Sequence, residues 1–233
     1  MKKFNLASFN IGAASKMYNK YDQRDLEAIA GFIKDCGADI VALQEVDCGC
    51  DRSAGADMAA YISERALYPY YHFITIRPFQ NGLYGTAILS KYPITDKDTI
   101  NYKVKAAKQG TSCGYITVDL DGQNVTVFNT HLSCESDAAN LDTMNCLDYE
   151  LREYYSKRGG FLCCGDFNTS PAVISENIKW LRLANKDLYT YADRSIDNVL
   201  YTKNFRISDV RTKDATSELI SDHNMLLCTV TVL

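Results

Sequence analysis

The chain contains little that would divide it into separate units. Its four prolines are scattered over 233 residues, and it has no serine/glycine-rich tract, internal repeat or low-complexity segment. Linkers between domains usually have such features, so we predict a single domain over residues 1–233. An apolar fraction of 46% is ordinary for a chain of this size that buries a hydrophobic core.

Long hydrophobic runs are also missing. No window approaches the roughly 18 uninterrupted apolar residues that a membrane-spanning helix requires. The N-terminal Met1-Lys2-Lys3-Phe4 resembles the basic start of a signal peptide, but Asn5 and Asn10 interrupt the apolar stretch that should follow. We therefore interpret this segment as a first strand and predict a cytoplasmic protein, with secretion from a trimmed precursor as the alternative.

The nine cysteines do not form a disulfide pattern. Their number is odd, and Cys163 and Cys164 are adjacent in a predicted core strand, where successive side chains point to opposite faces. Reduced thiols are therefore expected. A zinc site is the alternative use of four of them, although their spacing contains no C-x-x-C pair; these are Cys48, Cys50, Cys134 and Cys146.

The chain lacks an excess of positive charge. A formal net charge of −4 argues against a protein that coats nucleic acid non-specifically, because such binding depends on neutralising phosphates. An enzyme that cleaves phosphate esters remains compatible, since its carboxylates hold a cation that supplies positive charge. One basic stretch is either a solvated face or a polyanion-binding surface; its lysines are Lys97, Lys103, Lys105 and Lys108.

The most informative stretch is an apolar run that ends in polar residues. Residues 161–164 follow a Gly-Gly turn and lead into Gly165-Asp166-Phe167-Asn168, which predicts a buried strand with polar groups on its exit loop. Such strand ends are where α/β folds place their chemistry. Asp166 is suited to accept a proton or hold a water, and Asn168 to donate a hydrogen bond. The alternative is an Asx turn that only closes the strand.

Other predicted strands carry polar residues at their ends. The first strand ends at Asn10, and the apolar run of residues 39–47 contains Glu45. Burying that carboxylate would cost on the order of several kcal/mol without a cation or hydrogen bonds, which indicates a ligand role, and an exposed strand end is the equal alternative on this stretch alone. Asp121-Gly122 predicts a hairpin whose second strand leads to His131.

The C-terminal part continues this pattern. Residues 196–201 predict a strand that carries Asp197, and Asp222-His223 precede a last strand over residues 225–230. His72 lies at none of these strand ends, and we assign it a structural role. Apolar spacing predicts helices over residues 22–36, 57–67, 140–155 and 175–184.

These polar residues lie at the ends of different apolar strands, which is how a site is built. They are Asn10, Glu45, His131, Asp166, Asn168, Asp197, Asp222 and His223. Carboxylates and amides suit a hard cation such as Mg²⁺, while the histidines suit proton transfer or phosphate contact. The combination predicts phosphoryl chemistry.

The sequence resembles the endonuclease/exonuclease/phosphatase superfamily of metal-dependent phosphohydrolases. Seven motifs appear in the family's order between residues 8 and 223, and any one alone is weak. They are Ser8-Phe9-Asn10-Ile11, Leu43-Gln44-Glu45-Val46, Gly85-Thr86-Ala87-Ile88-Leu89-Ser90, Asn129-Thr130-His131-Leu132, Gly165-Asp166-Phe167-Asn168, Ile196-Asp197 and Ser221-Asp222-His223.

The resemblance implies an α/β fold, a four-layer sandwich of two mainly antiparallel sheets packed face to face with helices outside. It implies Mg²⁺, with Mn²⁺ as an alternative, held mainly by Glu45 and completed or supported by Asn10 and Asp222. It also implies that Asp166 activates or orients the attacking water and that Asn168 holds a phosphate oxygen. His223, oriented by Asp197, and His131 would act on the scissile phosphate.

The substrate is predicted only as a class. The motif Asn129-Thr130-His131-Leu132 resembles that of the phosphodiesterase, sphingomyelinase-like and deadenylase-like branches of the superfamily. We therefore predict hydrolysis of a phosphate ester and favour a phosphodiester as the substrate. A nuclease acting on DNA or RNA is the first alternative, and a phosphate-ligand binding protein without catalysis is the second. Arg52 would contact a second phosphate or a head group, or lie on the surface. Neither a membrane span nor an obligate protein partner is expected.

Overall fold

The structure is a computed structural model that describes residues 1–15, 20–102, 104, 107–108 and 111–233. Lys103 and Lys105 of the basic stretch lie outside these residues, while Lys97 and Lys108 are exposed. None of the helices in the described part of the chain combines the length and the hydrophobicity that a membrane span requires.

The described residues form twelve strands. In chain order these are β1 (Lys3–Asn10), β2 (Ile40–Cys48), β3 (Tyr70–Phe79), β4 (Gly82–Ser90), β5 (Ile94–Tyr102), β6 (Thr111–Asp119), β7 (Asn124–His131), β8 (Phe161–Asp166), β9 (Arg182–Leu183), β10 (Asp197–Tyr201), β11 (Phe205–Lys213) and β12 (Met225–Val232). The helices are α1 (Gln23–Lys34), α2 (Met58–Arg65), α3 (Asp137–Arg158) and α4 (Pro171–Asn177).

The strands pair into two sheets. The first sheet has the order β11-β12-β1-β2-β4-β3, and the second has the order β5-β6-β7-β8-β10-β9. Among the described pairs, β1–β2 and β7–β8 are parallel and the rest are antiparallel. The predicted sandwich of two mainly antiparallel sheets is therefore confirmed.

Three hydrophobic layers hold the elements together. Leu6 and Val127 belong to the layer between the sheets. Phe9, on the other face of β1, packs on Phe32 of α1 with ring centroids 5.5 Å apart, and Phe128 lies in the layer beneath α3. Because side chains alternate along each strand, one strand contributes to two layers.

The adjacent cysteines illustrate this alternation. Cys163 lies in the layer under α3, whereas Cys164 lies between the sheets. The next inward-facing position of β8 is Asp166, which is almost completely buried. The inner face of the sandwich thus changes from apolar to polar at the end of the strands.

The predicted hairpin is confirmed. Strands β6 and β7 pair in register, and their connection contains Asp121 with a φ of 49° and Gly122 with a φ of 87°. Positive φ at both central residues is what a tight hairpin turn with the twist of the strands requires. The turn fixes the register that delivers His131 to the end of β7.

One helix prediction was wrong. Residues 175–184 were expected to be helical, but α4 covers Pro171–Asn177 and Arg182–Leu183 is a short strand. The Ser170 hydroxyl accepts a hydrogen bond from the Val173 N–H at 3.4 Å, and Pro171 occupies the first turn. This cap fixes the start of the helix earlier than the apolar spacing indicated.

Gly85 is required by close packing of the first sheet. A Cβ atom at this position would lie 2.0 Å from the carbonyl oxygen of Ile74 in β3. Gly31, on the exposed side of α1, has no atom within 4 Å of the corresponding position. The same substitution should therefore have opposite effects at the two sites.

We expect Gly85→Ala to lower the free energy of unfolding by about 1–3 kcal/mol, because a backbone atom must shift. Gly31→Ala should raise it by about 0.5–1 kcal/mol through helix propensity. Urea denaturation followed by circular dichroism measures both. Equal stability of the two variants would contradict this account of the packing.

Candidate active site

A row of three polar side chains crosses the second sheet at the ends of its strands. His131 of β7 pairs with Asp166 of β8, and Asp166 pairs with Asp197 of β10. Directly paired residues share a face of a sheet, and here it is the face toward the first sheet. Gly165 permits the close approach of β7 and β8, because a Cβ atom there would lie 2.3 Å from the Thr130 carbonyl oxygen.

The Asp166 carboxylate contacts residues from both sheets. Its Oδ2 accepts a hydrogen bond from Asn10 Nδ2 of the first sheet at 3.1 Å. The same oxygen lies 3.6 Å from His131 Nε2 and 3.7 Å from His223 Nε2. One buried oxygen therefore contacts residues from β1, β7 and the loop before β12.

The other oxygen of Asp166 closes a local turn. Oδ1 accepts a hydrogen bond from the Asn168 N–H at 2.8 Å, which is the Asx turn considered as an alternative. Asn168 has a φ of 51° and donates from its amide to the Leu132 carbonyl at 3.0 Å. The turn orients Asp166, so the structural and functional interpretations are compatible.

Asp197 and His223 form a buried pair. His223 Nδ1 lies 2.9 Å from Asp197 Oδ2, which leaves Nε2 directed toward Asp166. Burial by itself lowers the pKa of His223, but the neighbouring carboxylates, first of all Asp197, outweigh it and raise the pKa to about 9. The imidazole is therefore protonated at neutral pH.

Glu45 reaches the site through an irregularity in β2. The pairing of β2 with β4 shifts between Leu43 and Val46, and Glu45 has a φ of 57°. A β-bulge re-aims side chains, and a left-handed conformation at a residue other than glycine carries strain that usually occurs at functional sites. Asn10 Nδ2 donates to Glu45 Oε1 at 3.2 Å.

Asn10 thus links two carboxylates. Its Oδ1 accepts a hydrogen bond from the Gly12 N–H at 3.0 Å, so its amide nitrogen faces Glu45 and Asp166. In this geometry Asn10 orients the carboxylates, and its role as a metal ligand stays a prediction.

Asp222 lies close to the same strand end. The Ser221 hydroxyl donates to the Asn10 carbonyl at 2.7 Å, and a Cβ atom at Gly12 would lie 3.4 Å from Asp222 Oδ1. A Cβ atom at this position would make only ordinary contact with the carboxylate, so the glycine is favoured by its φ of 54°. The loop before β12, which carries Asp222 and His223, is thus held against the end of β1.

Two residues without an expected role support the bulge. Asn129 of β7 donates to the Leu43 carbonyl at 2.8 Å and to the Ala87 carbonyl at 2.9 Å, next to the shift in pairing. Gln44 Nε2 donates to Asn129 Oδ1 at 2.8 Å. Buried carbonyls need partners, so Asn129 satisfies groups beside the bulge from the opposite sheet. In the sequence, the only indication of this role is that Gln44 and Asn129 are amides within otherwise apolar strands.

Arg52 lies beside Glu45 but is already paired. Its guanidinium donates two hydrogen bonds of 2.7 Å to the buried carboxylate of Asp47. Two cavities meet here, one of about 500 Å³ lined by Gly12, Tyr21, Glu45 and Arg52 among others, and one of about 220 Å³ that Glu45 and Arg52 share with His131. The predicted contact of Arg52 with substrate stays a prediction.

Two aromatic residues near the site were not anticipated. The ring of Tyr191 lies 4.7 Å from that of His223, at an interplanar angle of 41°. Tyr84 lines the smaller cavity, and burial together with the Glu45 carboxylate raises its pKa well above the ordinary range. Neither tyrosine is a polar residue at the end of an apolar strand, so the sequence pattern did not indicate a role for either.

The donor set fits a divalent cation. Asp166, Asp197 and Asp222 are buried, Glu45 is half-buried, and His223 is the protonated group among them. Buried carboxylates that outnumber cationic groups are costly without a counter-charge. Oxygen ligands of this kind suit Mg²⁺ or Mn²⁺.

One group of ligand atoms in the described residues is close enough to hold a metal. Atoms of Asp166, Asp197 and His223 lie within 4.8 Å of one another. The four cysteines considered for zinc form no such group in the part of the chain that the structure covers.

The chain matches a family model described as the endonuclease/exonuclease/phosphatase family over residues 4–223. Among curated proteins, no sequence matches it. Solved structures with a similar fold include an endonuclease/exonuclease/phosphatase from Bacteroides vulgatus, with a TM-score of 0.78, 19% identity and 100% coverage of both chains.

Two further similar structures carry more specific names. The human Nocturnin catalytic domain with bound sulfate anion has a TM-score of 0.78 and 18% identity, covering 99% of this chain and 95% of that one. Sphingomyelinase C from Streptomyces griseocarneus has a TM-score of 0.70 and 17% identity, covering 98% and 99%. At these identities the likeness establishes the fold.

The pairing of Asp197 with His223 can be tested directly. In metal-free protein, the imidazole signal of His223 should titrate near pH 9, whereas burial lowers the pKa of His72 below 6.5. Asp197→Asn should bring the pKa of His223 well below 9, because burial then opposes the charge with less compensation. Nuclear magnetic resonance of the histidine side chains measures this, with His72 as the internal control. An unchanged His223 titration would reject the pair.

Proposed function

This chain belongs to the endonuclease/exonuclease/phosphatase family, and on that premise we propose that it is a Mg²⁺-dependent hydrolase of phosphodiesters. The observation that carries the proposal is the Asp166 oxygen that contacts Asn10, His131 and His223 from both sheets. A carboxylate between two imidazoles is suited to act on a water and a phosphate at the same place.

Glu45 would be the main ligand of the metal, with Asp222 nearby and Asn10 holding Glu45 in place. The strained backbone at Glu45 and the excess of carboxylates support this assignment. When bound, Mg²⁺ would offset charge on the phosphate oxygens and help to orient the ester, and Mn²⁺ would serve as a substitute.

The chain's own groups divide the remaining work. Asp166 orients the attacking water and accepts its proton. His223, held through Nδ1 by Asp197, stabilises the charge that develops on the phosphorane oxygens. His131 contacts the phosphate from the other side of Asp166. Asn168, whose backbone N–H binds Asp166 Oδ1, holds a phosphate oxygen.

Cavity size favours a small or lipid-derived diester over a nucleic-acid duplex. The two cavities at Glu45 are about 500 Å³ and 220 Å³, and residues 132–135 border the smaller one. A net charge of −4 provides no general attraction for polyanions. We therefore place nuclease activity second, and a binding protein without catalysis third.

The first test measures hydrolysis of bis-p-nitrophenyl phosphate with Mg²⁺ and with EDTA. Activity should require the metal, and His223→Ala should lower turnover by about 10²–10⁴-fold, because it removes the imidazolium. His72→Ala is the matched control, since His72 lies in β3 and contacts the Asp98 carbonyl. It should retain turnover.

Near-normal turnover of a folded His223→Ala variant would contradict the mechanism, and activity unaffected by EDTA would contradict the metal requirement. Plasmid and oligonucleotide substrates complete the test. Cleavage of these in clear preference to small diesters would favour the nuclease instead.

A further inference from the structure

A second polar row lies beside Glu45 in the first sheet. Asp47 of β2 pairs with Tyr84 of β4, and Tyr84 pairs with Arg77 of β3. Both pairs lie next to a shift in strand register. The shift in β2 falls between Leu43 and Val46, and the shift in β3 falls between Thr75 and Arg77. These two irregularities bring the row into line on the face that points toward the second sheet.

Two arginines lie over the rings of Tyr84 in this row and of Phe79 in β3. The guanidinium carbons of Arg52 and Arg77 both lie 4.7 Å from the ring centroid of Phe79. They lie 5.5 Å and 5.4 Å, respectively, from the centroid of Tyr84. Stacking on rings leaves the edges of a guanidinium free to donate hydrogen bonds.

The two arginines differ in their partners. Arg52 is neutralised by two hydrogen bonds to Asp47. In the part of the chain that the structure describes, Arg77 has no ion pair, and its Nε is buried without a hydrogen-bond partner. A buried, unpaired donor on a cation is costly, so its retention needs an explanation.

Arg77 faces the proposed reaction centre. It lines the cavity of about 220 Å³ together with Glu45, Arg52, Tyr84 and His131. Liquid water occupies about 30 Å³ per molecule, so the cavity has room for a phosphate-sized group. One more carboxylate, Glu135, borders it and accepts a hydrogen bond from the Lys108 N–H at 3.0 Å.

We propose that Arg77, supported by Arg52, binds a second phosphate group of the substrate next to the ester that is cleaved. The inference rests on the proposed function, since it extends the site around Glu45 and His131. Because the Nε of Arg77 is enclosed, its two Nη groups would be the donors that match a phosphate with two parallel hydrogen bonds. The substrate class is accordingly a phosphodiester that also carries a phosphate monoester.

The binding test uses metal-free protein and inorganic phosphate as the probe. Calorimetry in EDTA should show phosphate binding that weakens by about tenfold in Arg77→Gln, which removes the charge-assisted hydrogen bonds. Arg77→Lys should recover part of the affinity. Arg65→Gln is the matched control, because Arg65 also stacks on a ring, that of Tyr61 at 5.5 Å, but belongs to α2.

The kinetic test compares two diesters with the same scissile bond. Thymidine 5′-(p-nitrophenyl phosphate) and its 3′-phosphorylated derivative differ by one phosphate monoester. With Mg²⁺, the wild-type protein should prefer the phosphorylated compound by about tenfold in kcat/KM, through a lower KM. Arg77→Gln should lose this preference, so that its kcat/KM values for the two diesters become equal.

The outcomes separate the two proposals. If the wild-type protein hydrolyses neither diester, the proposed function fails, whereas the phosphate affinity of Arg77→Gln still decides on the subsite. If folded Arg77→Gln binds phosphate as tightly as wild type, the subsite is rejected even when hydrolysis proceeds. An equal loss of affinity in Arg65→Gln would also overturn it, because the effect would then be non-specific.

Discussion

The site depends on a single buried carboxylate that two sheets share. Asp166 Oδ2 contacts Asn10 of the first sheet and His131 of the second, and also faces His223 before the last strand. These residues are up to 213 positions apart, so their convergence requires the whole sandwich to be assembled. A polar cluster at strand ends is compatible with folding because the apolar inner layer continues directly behind it.

Irregular pairing produces the rest of the site. The shift in β2 leaves Glu45 in a left-handed conformation, and Asn129 satisfies carbonyls beside it from the opposite sheet. A second shift in β3 aligns Arg77 with Tyr84. Regular strands would have continued to place apolar side chains on the inner face. We infer that the irregular, strained backbone in the first sheet is what places charged groups at these strand ends instead.

Much of this arrangement was predictable from the sequence. Polar residues after apolar runs indicated Asn10 and Asp166, a polar residue within a predicted strand indicated Asp197, and the family motifs indicated the sandwich. Strands β5 and β11 escaped notice because they lie at sheet edges and carry charged residues, as exposed edges commonly do. Tyr84 and Arg77 were missed because their role comes from register shifts, which leave no periodic signal in the sequence.

In the proposed site a divalent cation binds at Glu45, within reach of His131 and His223. Titration with paramagnetic Mn²⁺, followed by nuclear magnetic resonance of the imidazole protons, would detect it. The signals of His131 and His223 should broaden at Mn²⁺ concentrations that leave His72 unaffected, and Glu45→Gln should abolish the difference. Equal broadening of all three histidines, or unchanged broadening in Glu45→Gln, would contradict the account.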